Sequence, residues 1–238
     1  MSQEPQVQLV IKSQGVGPYV DATGEEIIEY VARHGRERPE DKEPGALVRY
    51  LTSKKHWSPL EHLHFTFRIR TSRAMSAQFF RHRSLHHQEW SQRYDRPPGI
   101  EPIEFRLQAK KNRQSSTDSV GVTTVTSRGW RFTGDHDHPA YDAIRDASHA
   151  LVLIDEAYDA LIKAGIAKEC ARMILPMAST TIIHLTGNLR DWLAFCNVRL
   201  DEHAQLEARL IANQIAGLFE DELPGVFEKL EWRKGNFM

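Results

Sequence analysis

Apolar and polar side chains alternate near the start of the chain, where Val7, Leu9 and Ile11 are separated by Gln8 and Val10. A period of two predicts a strand with one buried face. From Glu25 to His34 the apolar Ile27, Ile28 and Val31 recur at helical spacing, and Gly35 stands where a left-handed residue closes a helix. Pro44 suits the first turn of a second short helix over Leu47 to Leu51. The clearest alternation runs from His62 to Arg70, with Leu63, Phe65, Phe67 and Ile69 on one face and His64, Thr66, Arg68 and Arg70 on the other. Ser72 can cap a helix from Arg73 that buries Met75 and Phe79 and sets Gln78 and Arg81 on one face.

The middle of the chain is less regular. Residues from about 108 to 138 keep no steady period and are expected to form an irregular excursion, a lid or a hairpin. Ile144, Ala147, Leu151, Ile154, Tyr158 and Leu161 then step by three and four, predicting a core-packing helix stopped at Gly165. A shorter helix from Ala167 ends before Pro176, and Ser179 to Leu185 is rich in β-branched residues, as a strand is. Asn188 caps a further helix, and after Asp201 a last one turns Leu206, Leu210, Ile211, Ile215 and Leu218 inward until Pro224. The pattern is α+β: one helix-dominated domain over 1–238 with a central antiparallel sheet.

Composition narrows the class. Hydrophobic residues at 40% and charged ones at 26% are ordinary for a globular chain. No apolar run approaches the roughly 20 residues that cross a bilayer, and MSQEPQVQ has no basic flank or apolar segment of a signal peptide, so a cytoplasmic protein without a membrane partner is expected. Cys170 and Cys196, the only cysteines, lie among apolar residues of predicted helices and read as structural. A net charge of -1 argues against a chain-wide grip on nucleic acid.

Charge is nevertheless concentrated locally. Arg68, Arg70, Arg73, Arg81, Arg83 and Arg93 fall in one stretch with no acid before Glu89. Such a cluster is either a solvated turn or an anion site, since guanidinium matches phosphate in bidentate fashion. Trp90 and Tyr94 beside it suit a pocket wall better than a bare turn. Arg81-His82-Arg83, seven residues and then Ser91, followed by Gln92-Arg93-Tyr94, resembles the signature of flavin-dependent thymidylate synthases. His56-Trp57-Ser58-Pro59-Leu60-Glu61-His62 upstream resembles another block of that family. So do Arg172 in ECARMILP, Asn188-Leu189-Arg190, and Asn197-Val198-Arg199 before His203-Ala204-Gln205. His86 and Gln88 stand where the fuller pattern has serine and asparagine, and Ala194 where a polar residue is common.

The resemblance implies an enzyme that methylates dUMP to dTMP with FAD as cofactor and NADPH and 5,10-methylenetetrahydrofolate as cosubstrates. It implies that Gln78, Arg81, Glu89, Ser91, Arg93, Arg172 and Arg199 hold the nucleotide. It implies that Ser58, Arg81, His82, Arg83, Glu89, Asn188 and Arg190 contact FAD, with His56 and Glu61 bracketing that pocket, and that the sites form in a homotetramer. UMP is an alternative substrate, because the ribose 2′-hydroxyl is read by no motif here.

Chemistry assigns roles within this set. C5 methylation needs an electron-rich C5, and Arg199 is the candidate for stabilising charge developing on the base. Ser91 reads as a positioning hydroxyl, since a serine nucleophile needs a neighbouring base and arginines are poor ones. No G-x-G-x-x-G or G-x-x-x-x-G-K occurs, so a FAD site here is not of the Rossmann kind. Two rivals differ in class. A metal hydrolase would use His62, His64, His86, His87 and Asp135-His136-Asp137-His138, but lacks H-E-x-x-H and sits in an arginine-rich field. An RNA-binding module would use Arg81 to Arg93 with Lys110 to Arg113.

Overall fold

The structure is a computed structural model of the 238-residue chain and describes residues 6–34, 43, 45–111 and 115–227. In chain order the elements are β1 (Val7–Lys12), α1 (Gly24–Ala32), α2 (Ala46–Ser53), β2 (His64–Ser72), α3 (Arg73–Phe79), β3 (His86–Glu89), β4 (Ile103–Gln108), β5 (Ser116–Thr126) and β6 (Gly129–Gly134). They continue with α4 (Tyr141–Lys163), α5 (Lys168–Ala171), β7 (Thr180–Asn188), α6 (Leu189–Arg199), α7 (Leu206–Glu222) and α8 (Pro224–Phe227). The class is α+β with two antiparallel sheets. One sheet has the order β1-β2-β7-β3, the other β4-β5-β6. Residues group into two compact units: Met1–Ile69, Phe80–Gln88 and His184–Met238 form the first, Arg70–Phe79 and Glu89–Ile183 the second.

The first unit is built on the apolar face of β2. Leu63, Phe65, Phe67 and Ile69 are all buried there, as the alternation predicts. Phe67 meets Trp192 edge to face at 4.8 Å, Phe65 meets Phe219 at 5.0 Å, and Trp192 spends its indole N–H on the Phe65 carbonyl at 3.1 Å. Strand β1 pairs Val7 with Ile69 and Leu9 with Phe67, then slips so that Ile11 faces Thr66. A bulge of this kind flips the alternation. Ile11, expected inside, is 63% exposed, so the buried face of β1 covers only its first half. On α7 the buried stripe is Ala208, Ile211, Ala212, Ile215, Ala216 and Phe219, while Leu210 is exposed and Leu218 half-buried. Alanines at four-residue spacing take the inner face that the larger leucines were expected to hold.

Helix ends follow local chemistry. Thr23 and Glu26 close a capping box on α1. At its other end the left-handed residue is His34, at φ 53. Gly35, Pro44, Asn112 and Arg113 lie outside the described residues. Ser72 Oγ accepts from the Met75 N–H at 3.3 Å, as a cap for α3 should. That helix stops at Phe79, so helical spacing does not relate Gln78 to Arg81 as the sequence suggested.

In the second unit the stretch expected to be irregular holds regular structure. β5 pairs antiparallel with β4 and, through a tight turn at Ser127-Arg128, with β6. Val120, Phe132 and Ile144 form its buried cluster, and Thr123 and Ser148 share a buried hydroxyl hydrogen bond at 3.0 Å. Helix α4 was expected to pack in the core, yet of its 23 residues only Ile144, Ser148 and Tyr158 are buried, and Leu153 is 64% exposed. An apolar period reports which face is apolar, not what covers it. Gly165 at φ +83 ends the segment, as its sequence position predicts.

Strand β7 runs past Leu185 to Asn188 and passes into α6 with no intervening residue. Just before the junction, a Cβ on Gly187 would stand 2.4 Å from Leu85 and 3.2 Å from the Asp191 Cβ. Gly187→Ala is expected to lower the unfolding free energy by about 1–3 kcal/mol through overpacking, read as a lower urea midpoint at unchanged slope.

Candidate functional site

The sequence-predicted residues divide between the two units. His56, Ser58, Glu61, Arg81, His82, Arg83, Asn188, Arg190 and Arg199 belong to the first, Gln78, Glu89, Ser91, Arg93 and Arg172 to the second.

In the first unit a cavity of about 540 Å³ is lined by Val31, Ala32, His34, Leu51, His56, Ser58, Pro59 and His62. That size is usual for a small-molecule site. His56 and Ser58 are among the residues the resemblance assigns to FAD; His34 and His62 are not. Among the described residues the two non-glycine positions with positive φ are His34 and Lys55. One lines the cavity and the other directly precedes His56. Backbone in a sparsely populated region gathers where a binding surface has to be shaped. Imidazoles, a hydroxyl and apolar walls, with no carboxylate in the lining, suit the aromatic and anionic parts of a dinucleotide such as FAD.

Glu61 is not in that lining. It accepts from Arg190 Nη1 at 2.5 Å, both side chains being well exposed. Asn188 ends β7 and caps α6: its Oδ1 accepts from the Asp191 N–H at 3.0 Å, and Asp191 Oδ2 accepts from the Asn188 N–H at 3.1 Å. With the oxygen committed, the amide nitrogen is the end of Asn188 suited to a ligand. Arg81 and Arg83 lie on the turn between α3 and β3, exposed and without a carboxylate partner among the described residues.

His82, on the same turn, accepts at Nε2 from Arg199 Nε at 3.0 Å. Its ring packs against Phe195, centroids 4.8 Å apart. Burial, and then the Arg199 charge, push the His82 imidazole down to about 4, so at neutral pH the ring is an uncharged acceptor. Burial also lowers the Arg199 guanidinium from its ordinary value, and it remains a cation because guanidinium titrates far above neutrality.

In the second unit the organising group is Glu89. Its Oε1 accepts from Ser76 Oγ at 2.8 Å and Thr181 Oγ1 at 3.1 Å, and its Oε2 pairs with Arg73. Both carboxylate oxygens are therefore engaged within the protein. Arg93 pairs with Glu169 at 3.3 Å in the open, and Arg70 with Glu101 at 3.2 Å. The positive field read from the sequence is thus partly neutralised by acids from elsewhere in the chain. Arg172, on the 3-10 turn after α5, is half-buried without such a partner among the described residues. Gln78 is half-buried on α3, and Ser91 is half-buried just after β3, its carbonyl accepting from the Tyr94 and Asp95 N–H groups. Cys170 is exposed rather than buried, while Cys196 is buried as expected. Among the described residues no three His, Cys, Asp or Glu side chains are grouped to hold a metal.

A family model described as thymidylate synthase complementing protein matches residues 19–225. The chain is 36% identical over 216 residues to a probable flavin-dependent thymidylate synthase of Paramecium bursaria Chlorella virus 1, covering 88% of this chain and 92% of the relative. It is 34% identical over 225 residues to the flavin-dependent thymidylate synthase of Synechocystis sp., covering 94% and 95%. The fold matches a crystal structure of a UMP/dUMP methylase, PolB, from Streptomyces cacaoi bound with 5-Br dUMP, with a TM-score of 0.69, 23% identity, and coverage of 93% and 92%. The chain belongs to the flavin-dependent thymidylate synthase family.

Two outcomes follow from this geometry. Glu89→Ala strands Arg73, Ser76 and Thr181 and is expected to cost about 2–4 kcal/mol in chemical denaturation; Arg93→Ala, at an open surface pair, should cost less than about 1 kcal/mol. The depressed His82 value carries a definite sign. Below about pH 6.5 the unfolded chain protonates this ring, while the folded chain does so only near 4. Its contribution is full above 6.5 and is lost as pH falls through 4. The loss of stability between pH 6.5 and 4 should therefore be shallower in His82→Phe than in the unaltered protein.

Proposed function

We propose that the protein is a flavin-dependent thymidylate synthase that converts dUMP to dTMP, using 5,10-methylenetetrahydrofolate and NADPH through FAD. The observation that carries the reading is the state of the signature segment in the fold. Among the described residues Arg81 and Arg83 are left without acids while neighbouring arginines are paired, and His82 between them is tied to Arg199. Exposed guanidiniums held in a fixed turn are suited to phosphate.

Bound FAD would carry reducing equivalents from NADPH to the one-carbon unit supplied by the folate. The chain's residues have separate work. His56 and Ser58 would receive the flavin dinucleotide at the cavity, aided by Arg81, His82, Arg83, Arg190 and the amide nitrogen of Asn188. Gln78, Arg81, Ser91, Arg93 and Arg172 would hold the nucleotide, Arg93 exchanging its open pair with Glu169 for phosphate. Glu89, which the resemblance assigns to both ligands, would also hold Arg73, Ser76 and Thr181 in place. Arg199 would lie at the base edge, where a fixed cation in a partly dehydrated place lowers the energy of an anionic pyrimidine. Ser91 positions rather than attacks.

The homotetramer that the resemblance implies is part of the proposal. Leu153 of α4 and Ile166, Met173 and Met177 of the same unit are exposed apolar side chains that such an assembly would have available for contact. No helix among the described residues is long and apolar enough to cross a membrane. We place the protein in the cytoplasm, where an exposed free Cys170 remains reduced.

The test is anaerobic. NADPH-reduced, FAD-loaded protein mixed with methylenetetrahydrofolate and dUMP should reoxidise with dTMP formed, and Arg199→Ala should lose about 10²- to 10³-fold in kcat/KM, the usual loss when a group facing developing charge is removed. Full turnover by Arg199→Ala would remove that role. Equal turnover of UMP would overturn the preference for dUMP. Colourless protein that takes up no FAD and binds no dUMP would overturn the reading as a whole.

A further inference from the structure

The roles above assign His82 to the flavin and Arg199 to the nucleotide, yet the two side chains share a direct hydrogen bond. Arg199 is the last residue of α6, and Phe195 stands one turn before it on the same helix. The His82 ring is thus held twice by one helix: its face lies against Phe195, and its Nε2 accepts the Arg199 Nε–H at 3.0 Å. Both partners are half-buried.

Resting on the nucleotide reading, we propose that His82 is a positioning residue for Arg199, its Nε2 anchoring the guanidinium in the plane from which it meets the pyrimidine.

The argument is geometric. A guanidinium is planar and hangs on a long, freely rotating stem. A bond to Nη would tether one corner and leave the plane able to swing about the Cδ–Nε bond. A bond to Nε fixes the plane at its root, so both Nη groups are carried along set directions. Placement at this scale matters, because a preorganised donor is effective only where the charge develops. The acceptor must also be a particular kind. A carboxylate at this place would cancel the charge that Arg199 brings. A neutral imidazole accepts the hydrogen bond without bringing a negative charge of its own, its proton being on Nδ1. The low pKa of His82 agrees with this, since a protonated ring would turn a donor toward a donor beside a like charge.

Four proteins test the proposal: His82→Phe, His82→Gln, Arg199→Lys, and His82→Phe combined with Arg199→Lys. Each is FAD-loaded and measured for dUMP affinity by calorimetry, for flavin affinity by absorbance, and for kcat and KM. His82→Phe keeps a ring against Phe195 but removes the acceptor. It should weaken dUMP binding or kcat/KM by about tenfold to hundredfold, the loss expected of a hydrogen bond to a charged group, and by more than it weakens flavin affinity. His82→Gln, with an amide oxygen as acceptor, should recover most of that loss. On the Arg199→Lys background, His82→Phe should cost almost nothing further, because the group it positions is gone.

Losses that multiply in the double variant, or a loss confined to flavin affinity, would overturn the proposal and make His82 a direct flavin contact. Absence of dUMP binding by the unaltered holoenzyme would overturn the nucleotide reading together with the role built on it. The contact has its own readout if His82→Phe does not fold. With ¹⁵N-labelled histidine, the Nε2 signal of His82 should be that of an unprotonated acceptor at pH 7 and should move in Arg199→Lys. A protonated Nε2, or one indifferent to that substitution, would overturn the proposal.

Discussion

The structure of the first unit turns on a junction without a loop. Strand β7 ends at Asn188 and α6 begins at Leu189, so a single residue must finish a ladder and satisfy the open N–H groups of a helix start. Asn188 and Asp191 do so reciprocally, and the Leu189 N–H is spent on the Leu63 carbonyl at 2.8 Å. Gly187 permits the close approach of Leu85 that the path requires. The direction of α6 follows from this, and with it the places of Arg190 at its first turn, of Trp192 over Phe67 in the core, and of Arg199 at its last. A core aromatic and three candidate ligand-binding residues thus share one rigid piece of backbone.

Electrostatics in the second unit are organised by compensation rather than by accumulation. Glu89 gathers one arginine and two hydroxyls from two elements, α3 and β7, which makes its carboxylate a structural node. In both units guanidiniums are sorted into those paired with the protein's own acids and those without a carboxylate partner among the described residues. The sorting is a tertiary property. It gives the signature segment its meaning, because an uncompensated cation is informative only where compensation is the local habit.

Much of this was legible in the chain. The β2 alternation, the Asn188 and Ser72 caps and Gly165 rest on local chemistry, and each stands where the pattern put it. A hairpin was one of the two forms expected of the excursion, but its strands could not be placed, because Ser116 to Thr126 shows mostly hydroxyls and buries little beyond Val120, Gly121 and Thr123, so no alternation of apolar with polar side chains arises. The bulge in β1 is settled by its strand partner and not by propensity. Candidate site residues were named through the spacing of Arg81, His82, Arg83 and Ser91, whereas the partners of Glu89, the gathering of His34 and His62 at one cavity, and the tie between His82 and Arg199 join positions far apart in sequence.

The capping role of Asn188 has a consequence for how such a protein can change. Aspartate or serine would serve the helix start as well, but neither offers the two amide hydrogens that asparagine keeps beyond its oxygen. Variation driven by heat tolerance alone would accept those replacements. Under the proposed flavin role of the amide hydrogens, variation driven by the ligand would reject them, and one side chain, divided between its two ends, would tie the endurance of the scaffold to the chemistry it carries.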